Sequence, residues 1–263
     1  MHLRFTRKTL CLPYAVYLLL FVVAPMLVLF YYAFTNSTGQ FTLTNFTDFF
    51  TDPNTLGTLF YSCAIAMVTT LVCLLLAYPI ACILAFSKLK AKSAIIMIFV
   101  MPMWINFSLR ITALKEILTV IEGNLAMYPF LNAVIGMTYD FLPFMILPIY
   151  TTVSRLDGAL REAAMDLGAN EVQTFLRVTL PLSVPGIMSG ISMVFLPAMT
   201  NYVVLDMLYN STYIMGSLIG SYFSAYNWNG GSMIALILLA IICLFTLLTD
   251  SGEESNARGG ALL

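Results

Sequence analysis

Six apolar runs, each nearly as long as a bilayer-spanning helix or longer, dominate the sequence. A transmembrane helix needs about 20 mostly apolar residues. The runs are Pro13–Phe34, Thr58–Phe86, Ala94–Leu109, Ala133–Val153, Val184–Leu205 and Ser232–Thr249. The third is the shortest of them. Strands of a membrane β-barrel are about 10 residues long and alternate in polarity, which these runs do not. The sequence therefore predicts an all-α, polytopic membrane protein with six transmembrane helices.

The basic residues predict how these helices are oriented. Except for Arg110 and Lys115, every Lys and Arg falls before run one, between runs two and three, between runs four and five, or after run six. Since Lys and Arg accumulate in cytoplasmic loops, both termini are predicted to be cytoplasmic. No small-residue cleavage site follows the first run, which favours an uncleaved helix over a signal peptide.

The residue patterns of enzymes and of nucleic-acid-binding proteins are missing. The sequence has no Walker A, HExxH or Rossmann pattern, and its one histidine, His2, joins no catalytic Ser/His/Asp set. The five cysteines lie in or beside apolar runs without metal-ligand spacing. A net charge of −1 gives no basic footprint for nucleic acid. We therefore expect a non-enzyme without metal, cofactor or nucleic acid.

The most charged segment lies between runs four and five and comprises residues 154–181, SRLDGALREAAMDLGANEVQTFLRVTLP. Its pattern predicts two short helices joined by a sharp turn. Gly168 is suited to ending the first helix in a left-handed conformation. Asn170 and Gln173 have the spacing of a capping box for the second. Pro181 either closes that helix or opens the next. Most charged loops between membrane helices are simply solvated, and that alternative stands here.

This segment resembles the EAA loop of ABC-importer permeases, whose pattern is EAA, three residues, Gly, nine residues and I-x-L-P. Here Val178 replaces the Ile. In that family the loop docks into a groove of a cytoplasmic ATPase. The resemblance implies a type I ABC-importer permease fold, with ATP and Mg²⁺ held by the partner ATPase. The implied coupling residues are Arg161, Glu162, Ala163, Ala164, Asp166, Leu167, Gly168 and Pro181.

Other stretches resemble the permeases of spermidine/putrescine ABC importers. They are residues 101–115, 142–150, 160–190 and 196–199. The resemblance implies a permease in the bacterial cytoplasmic membrane, surrounded by lipid, with three kinds of protein partner. These are a second homologous permease, an ATPase homodimer and an extracytoplasmic polyamine-binding protein. Iron or a sugar is the rival substrate, and a membrane scaffold or sensor that carries nothing is the rival function.

Polar and aromatic residues near the outer side suggest a substrate route. They are Trp104, Asn106, Tyr139, Asp140, Thr200, Asn201 and, in the following outer loop, Asp206. Carboxylates at membrane depth are commonly functional, and aromatic rings attract cations, so the set favours a cationic substrate. Asp140 has an alternative role as an ion pair with Arg110 that fixes helix packing. Interface packing is the alternative for the aromatic residues, and an ordinary loop carboxylate is the alternative for Asp206.

The chain divides into regions around these features. Residues 1–12 are predicted as a cytoplasmic N-terminus, 13–55 as the first helix with its outer loop, and 56–249 as an ABC transmembrane type-1 domain containing loop 154–181. Residues 250–263 are predicted as a disordered cytoplasmic tail. An amphipathic helix, RITALKEILTVI, is expected in the outer interface, ending at Gly123.

Overall fold

A computed structural model describes the backbone of residues 7–87, 91–209 and 214–260. Side chains are described in these ranges except at positions 7–12, 93, 209, 248 and 250–260. Parts of the predicted N-terminus (1–6), of the basic loop (88–90) and of the tail (261–263) therefore lie outside the described residues. The described residues divide into two compact units, one within the ranges 1–57 and 217–241 and one within 58–216 and 242–263.

The described residues form thirteen α-helices. In chain order they are α1 (Arg7–Leu18), α2 (Ala24–Ala33), α3 (Thr44–Thr51), α4 (Pro53–Phe86), α5 (Lys92–Val100), α6 (Phe107–Glu122), α7 (Pro129–Val153), α8 (Gly158–Asp166), α9 (Glu171–Thr174), α10 (Leu180–Thr200), α11 (Tyr202–Tyr209), α12 (Met215–Ser224) and α13 (Trp228–Gly260). Within the described ranges the only extended pairing is a bridge between Thr35 and Phe41. The all-α prediction is confirmed.

Five helical segments are long and apolar enough to cross a membrane. They are Pro13–Ala33, Pro53–Phe86, Pro129–Val153, Glu171–Thr200 and Trp228–Leu247. A sixth crossing is present if the bent pair Ala94–Trp104 and Phe107–Glu122 counts as one span. If the bent pair is counted as one span, the described residues contain the six predicted membrane helices.

The third predicted run, Ala94–Leu109, is wrong as a single straight helix. The chain turns by 97° after Trp104, because Ile105 and Asn106 leave the helical conformation. Asn106 then starts α6 by accepting a hydrogen bond from the Ser108 amide at 2.9 Å. The predicted amphipathic helix therefore begins three residues later, at Arg110, than α6, which begins at Phe107. Its predicted end at Gly123 is confirmed, with φ +74° there.

Two other predicted boundaries also differ. The fifth run was expected to reach Leu205, but α10 ends at Thr200 because Asn201 adopts φ −76° and ψ 81° outside the helical region. The last helix continues past Asp250 to Gly260, whereas the sequence predicted a disordered tail. No proline interrupts residues 250–258, so nothing in the sequence forces the helix to stop before the Gly259–Gly260 pair.

Proline produces a π turn in two of the membrane-length helices. The turns are Leu19–Val23 and Phe175–Thr179. In each, the residue before a proline donates its amide to the carbonyl five residues back, Ala24 to Leu19 and Leu180 to Phe175. A proline has no N–H for the usual bond and its ring clashes with the carbonyl four residues back, so the helix widens by one residue before it.

In the second unit, α7 and α10 pack closely at small residues. A Cβ added at Gly186 would lie 2.5 Å from Thr152 Oγ1 and 2.9 Å from the Pro148 carbonyl oxygen. Glycine therefore permits an approach that any side chain would prevent, as is common between membrane helices. On α7, Met145, Ile149 and Val153 are buried. This packing fixes α10, and with it the segment that precedes α10 in the chain.

Candidate functional site

Residues 154–181, named the EAA loop here for the motif that they resemble, fold as the predicted pair of helices with a sharp turn. Asp157 begins α8 by accepting a hydrogen bond from the Ala159 amide at 3.0 Å. Gly168 ends it with φ +86°. The Gly168 amide bonds the Met165 carbonyl at 2.9 Å and the Ala169 amide bonds the Ala164 carbonyl at 3.0 Å. This is the Schellman arrangement, in which glycine adopts the left-handed conformation at low cost.

The second helix of the loop begins with the predicted capping box. The Asn170 side chain accepts from the Gln173 amide at 2.8 Å, and the Gln173 side chain accepts from the Asn170 amide at 3.1 Å. The helix then continues through the π turn into α10, in which Pro181 is the second residue. The loop and the following membrane helix therefore form one helical rod from Glu171 to Thr200.

We expect Asn170→Ala to loosen the start of this rod without unfolding it. Loss of a helix cap costs about 1 kcal/mol, which corresponds to about fivefold faster amide exchange at Gln173. Hydrogen exchange followed by mass spectrometry measures this directly. Asn170→Asp is the matched control, because aspartate caps as well as asparagine. Equal exchange at Gln173 in the alanine variant and the wild type contradicts the capping role.

The EAA loop exposes most of its predicted coupling residues. Six of the predicted coupling residues are exposed, namely Glu162, Ala163, Asp166, Leu167, Gly168 and Pro181, and two are half-buried, Arg161 and Ala164. Leu167 is 90% exposed. Leu160 and Met165 are also exposed. An apolar surface with acidic neighbours is suited to binding another protein.

The EAA loop also contacts the C-terminal end of α4. The sequence did not predict this contact. The Arg161 guanidinium lies over the Phe86 ring, 4.0 Å from its centroid. Cys82 and Phe86 of α4 and Glu171 and Phe175 of the loop line a small cavity there. The sequence contained one indication of this contact. Tyr78, Cys82 and Phe86 are spaced four residues apart, which places them on one face of a helix. These contacts hold the loop against a second membrane helix.

Asp140 forms a buried ion pair with Arg110. Asp140 Oδ1 lies 2.6 Å from Arg110 Nη2, and the side chains are 6% and 9% exposed. Nε and Nη1 of Arg110 are buried and have no hydrogen-bond partner among the described residues. The geometry agrees with the alternative that the pair fixes helix packing, because it joins α6 to α7. The substrate-route role of Asp140 stays a prediction.

The other predicted route residues lie on several surfaces. Trp104 is 81% exposed and borders an apolar groove with Met97 and Tyr150. Tyr139 is 41% exposed and borders a different apolar groove between α4, α6 and α7. Asp206 is exposed on α11, a helix that packs against both α6 and α7. The structure therefore brings together the helices that carry Arg110, Asp140 and Asp206, but it does not gather all seven residues.

The remaining polar route residues have structural roles in the described chain. Asn106 caps α6. The Thr200 hydroxyl lies near the Leu196 and Pro197 carbonyls of its own helix, at 3.4 and 3.3 Å. Asn201 occupies the break between α10 and α11. Among the described residues, no group of three or more His, Cys, Asp or Glu side chains is placed to hold a metal ion.

Comparisons with known proteins agree with this architecture. Residues 3–252 match the family described as "Binding-protein-dependent transport system inner membrane component". The spermidine/putrescine transport system permease protein PotB of Haemophilus influenzae is 32% identical over 263 residues, covering 92% of this chain and 91% of that protein. PotB of Escherichia coli strain K12 is 34% identical over 223 residues, covering 79% of this chain and 81% of that protein.

Two solved structures share the fold. A bacterial ABC transporter that imports the acidic polysaccharide alginate matches with a TM-score of 0.74 at 15% identity, over 95% of this chain and 94% of that chain. The MetNI methionine ABC transporter matches with a TM-score of 0.60 at 17% identity, over 76% and 95%. The chain thus has the type I ABC-importer permease fold and is a multi-pass membrane protein. It belongs to the binding-protein-dependent transport system inner membrane component family.

Proposed function

We propose that this permease moves polyamines, spermidine or putrescine, into the bacterial cytoplasm, driven by ATP hydrolysis on a separate ATPase. The observation that carries the proposal is the exposed, capped EAA loop, which is continuous with a membrane-length helix. The 32–34% identity to PotB over most of the chain supports polyamines as the cargo. An iron or sugar importer would share the loop but not that similarity.

The EAA loop transmits the movement of the ATPase to the membrane helices. Ala163 and Ala164 let the partner's surface approach closely, while Glu162, Asp166 and Leu167 contact it. Gly168 supplies the turn and Pro181 the start of α10. Arg161 faces the other way, onto Phe86. Because Glu171–Thr200 is one helical rod, a push on the loop displaces the whole of α10.

The proposed assembly contains four kinds of subunit. This chain pairs with a second homologous permease, two copies of an ATPase bind ATP and Mg²⁺, and an extracytoplasmic protein delivers the polyamine. A related structure, the alginate transporter, is known in complex with a periplasmic protein, which supports this kind of partner. Both termini and the EAA loop face the cytoplasm in this proposal. That orientation follows from the distribution of Lys and Arg.

The cargo is cationic, and the proposed route uses groups that attract cations. Asp206 supplies a carboxylate, Trp104 and Tyr139 supply aromatic faces, and Asn106, Thr200 and Asn201 supply hydrogen-bonding groups. The segment from Thr35 to Gly57 has no Lys or Arg, so it does not repel an arriving cation. Asp140 is buried against Arg110, and we assign it to holding α6 on α7 rather than to contacting the cargo.

Radiolabelled spermidine uptake into membrane vesicles tests the proposal. The vesicles contain this chain, the second permease and the ATPase, and they receive the binding protein from outside. We expect uptake that requires both ATP and the binding protein, and that excess putrescine reduces. ATP hydrolysis without uptake of any solute supports the scaffold or sensor function instead. Uptake of iron or a sugar in place of spermidine refutes the assignment of the cargo.

A further inference from the structure

One side chain of α4, Tyr78, contacts the first residue of the π turn in the EAA loop directly and reaches Leu180, just after the turn, through Ser183. We propose that Tyr78 is a positioning residue, which holds this turn in its π register and thereby sets the direction in which the EAA loop meets the ATPase. The inference rests on the proposed function, because direction matters only if the loop receives force. Tyr78 itself is buried on α4 and lies outside the EAA loop.

Tyr78 contacts the beginning of the π turn through its ring. The side chain is buried, with 8% exposed. Its ring lies 5.7 Å from that of Phe175, at an angle of 79°. This edge-to-face arrangement is favourable for aromatic pairs. Phe175 is the first residue of the turn, so the ring contact fixes where the turn begins.

The Tyr78 hydroxyl reaches the end of the same turn through Ser183. The two hydroxyl oxygens lie 2.9 Å apart, and Ser183 Oγ donates to the Leu180 carbonyl at 2.8 Å. A serine hydroxyl carries a single proton, so Tyr78 is the donor in the first bond. Leu180 in turn donates its amide to the Phe175 carbonyl, which closes the π turn. Tyr78 therefore contacts Phe175 directly and Leu180 through one serine.

The register of this turn determines the direction of the loop. A π turn contains one residue more than an α turn, and one residue corresponds to about 100° of rotation around a helix axis. A change to the α register therefore swings everything before the turn by about 100° around α10. The backbone alone holds the turn weakly, since Pro181 lacks an amide proton. A contact from a neighbouring helix therefore strengthens the register that the proline favours.

The same face of α4 supports the first helix of the EAA loop as well. Tyr78, Cys82 and Phe86 are spaced four residues apart, which places them one above the other on a helix. The Arg161 guanidinium lies over the Phe86 ring. Cys82 lines the cavity between α4 and the EAA loop. Both helices of the loop are therefore seated on α4. Movement of the loop acts on α4 as well as on α10.

The experiment compares Tyr78→Phe with wild type in the complete transporter reconstituted in proteoliposomes. The variant keeps the ring contact and removes the hydroxyl. We expect about threefold to tenfold less spermidine transported per ATP hydrolysed, which corresponds to the loss of one hydrogen bond, with the yield of assembled complex unchanged. Hydrogen exchange at the Leu180 amide is expected to accelerate by a similar factor, while exchange in α7 stays the same.

Ser183→Ala removes the same link and is expected to reproduce both effects. The double variant should be no worse than either single variant, because the two residues act in one chain of contacts. Tyr14→Phe, at an exposed position of α1, is the matched control. Unchanged transport per ATP and unchanged Leu180 exchange in Tyr78→Phe refute the positioning role. If the wild type itself transports nothing, the proposed function fails, and the exchange measurement still tests the contact.

Discussion

Leu167→Asp is expected to abolish ATP-driven uptake by detaching the ATPase. Leu167 is 90% exposed at the end of α8, beside the turn that forms the tip of the EAA loop. A few anchor residues contribute most of the energy of a protein interface, each about 2 kcal/mol or more. Placing a carboxylate in such a position weakens association by at least about thirtyfold. The measurement is co-purification of the ATPase with the tagged permease, together with uptake in vesicles.

Leu167→Met is the matched control for this experiment, because it preserves an apolar side chain of similar volume. It should retain both ATPase binding and most of the uptake. The yield of folded permease should not differ between the two variants, since the side chain contacts solvent rather than the core. Retention of the ATPase by the aspartate variant would show that Leu167 lies outside the interface and would contradict the proposed docking surface.

The conformation of the EAA loop was predictable because its determinants are local. The left-handed turn requires glycine, and Gly168 occupies it. The capping box requires two side chains three residues apart, and Asn170 and Gln173 form it. Interactions of this kind involve neighbours in the sequence, so they need no knowledge of the rest of the fold. The same is true of the apolar runs, which reveal the membrane helices by length alone.

The bend of the third span was missed because hydropathy does not report backbone direction. Met101, Trp104 and Ile105 are apolar, so the run continues through the point where the chain turns by 97°. The local signal was Asn106, which is a favourable first residue for a new helix. A capping residue inside an apolar run competes with the interpretation of a single helix. In the structure, Asn106 caps a new helix, and the run is not a single helix.

The EAA loop packs on α4 through residues that are distant in the sequence. Tyr78 and Ser183 are 105 positions apart, and no sequence pattern pairs them. The same limit applies to Asp140, for which the sequence allowed both a substrate contact and a bond to Arg110. Only the packing of α6 against α7 distinguishes where that carboxylate lies. Interactions between sequence neighbours were therefore predictable, whereas contacts between distant residues were not.

Asp140→Asn is expected to lower the yield of folded permease sharply. The carboxylate is the only hydrogen-bond partner of the Arg110 side chain among the described residues, and asparagine leaves a buried cation unpaired. Removing one member of a buried ion pair costs roughly 3–5 kcal/mol, a large share of the stability of a typical protein. The measurement is the amount of monodisperse permease after detergent extraction, together with its thermal midpoint.

The double variant Arg110→Met/Asp140→Leu separates packing from cargo binding. Removing both charges eliminates the cost of an unpaired ion, and replacing a buried pair by apolar groups is often neutral or stabilising. We expect the yield to recover and spermidine uptake to recover with it, because the buried carboxylate holds α6 on α7 and does not reach the cargo. Recovery of yield without uptake would instead place Asp140 on the substrate route. A normal yield of the single variant would show that Arg110 finds another partner, and the packing role would then be wrong.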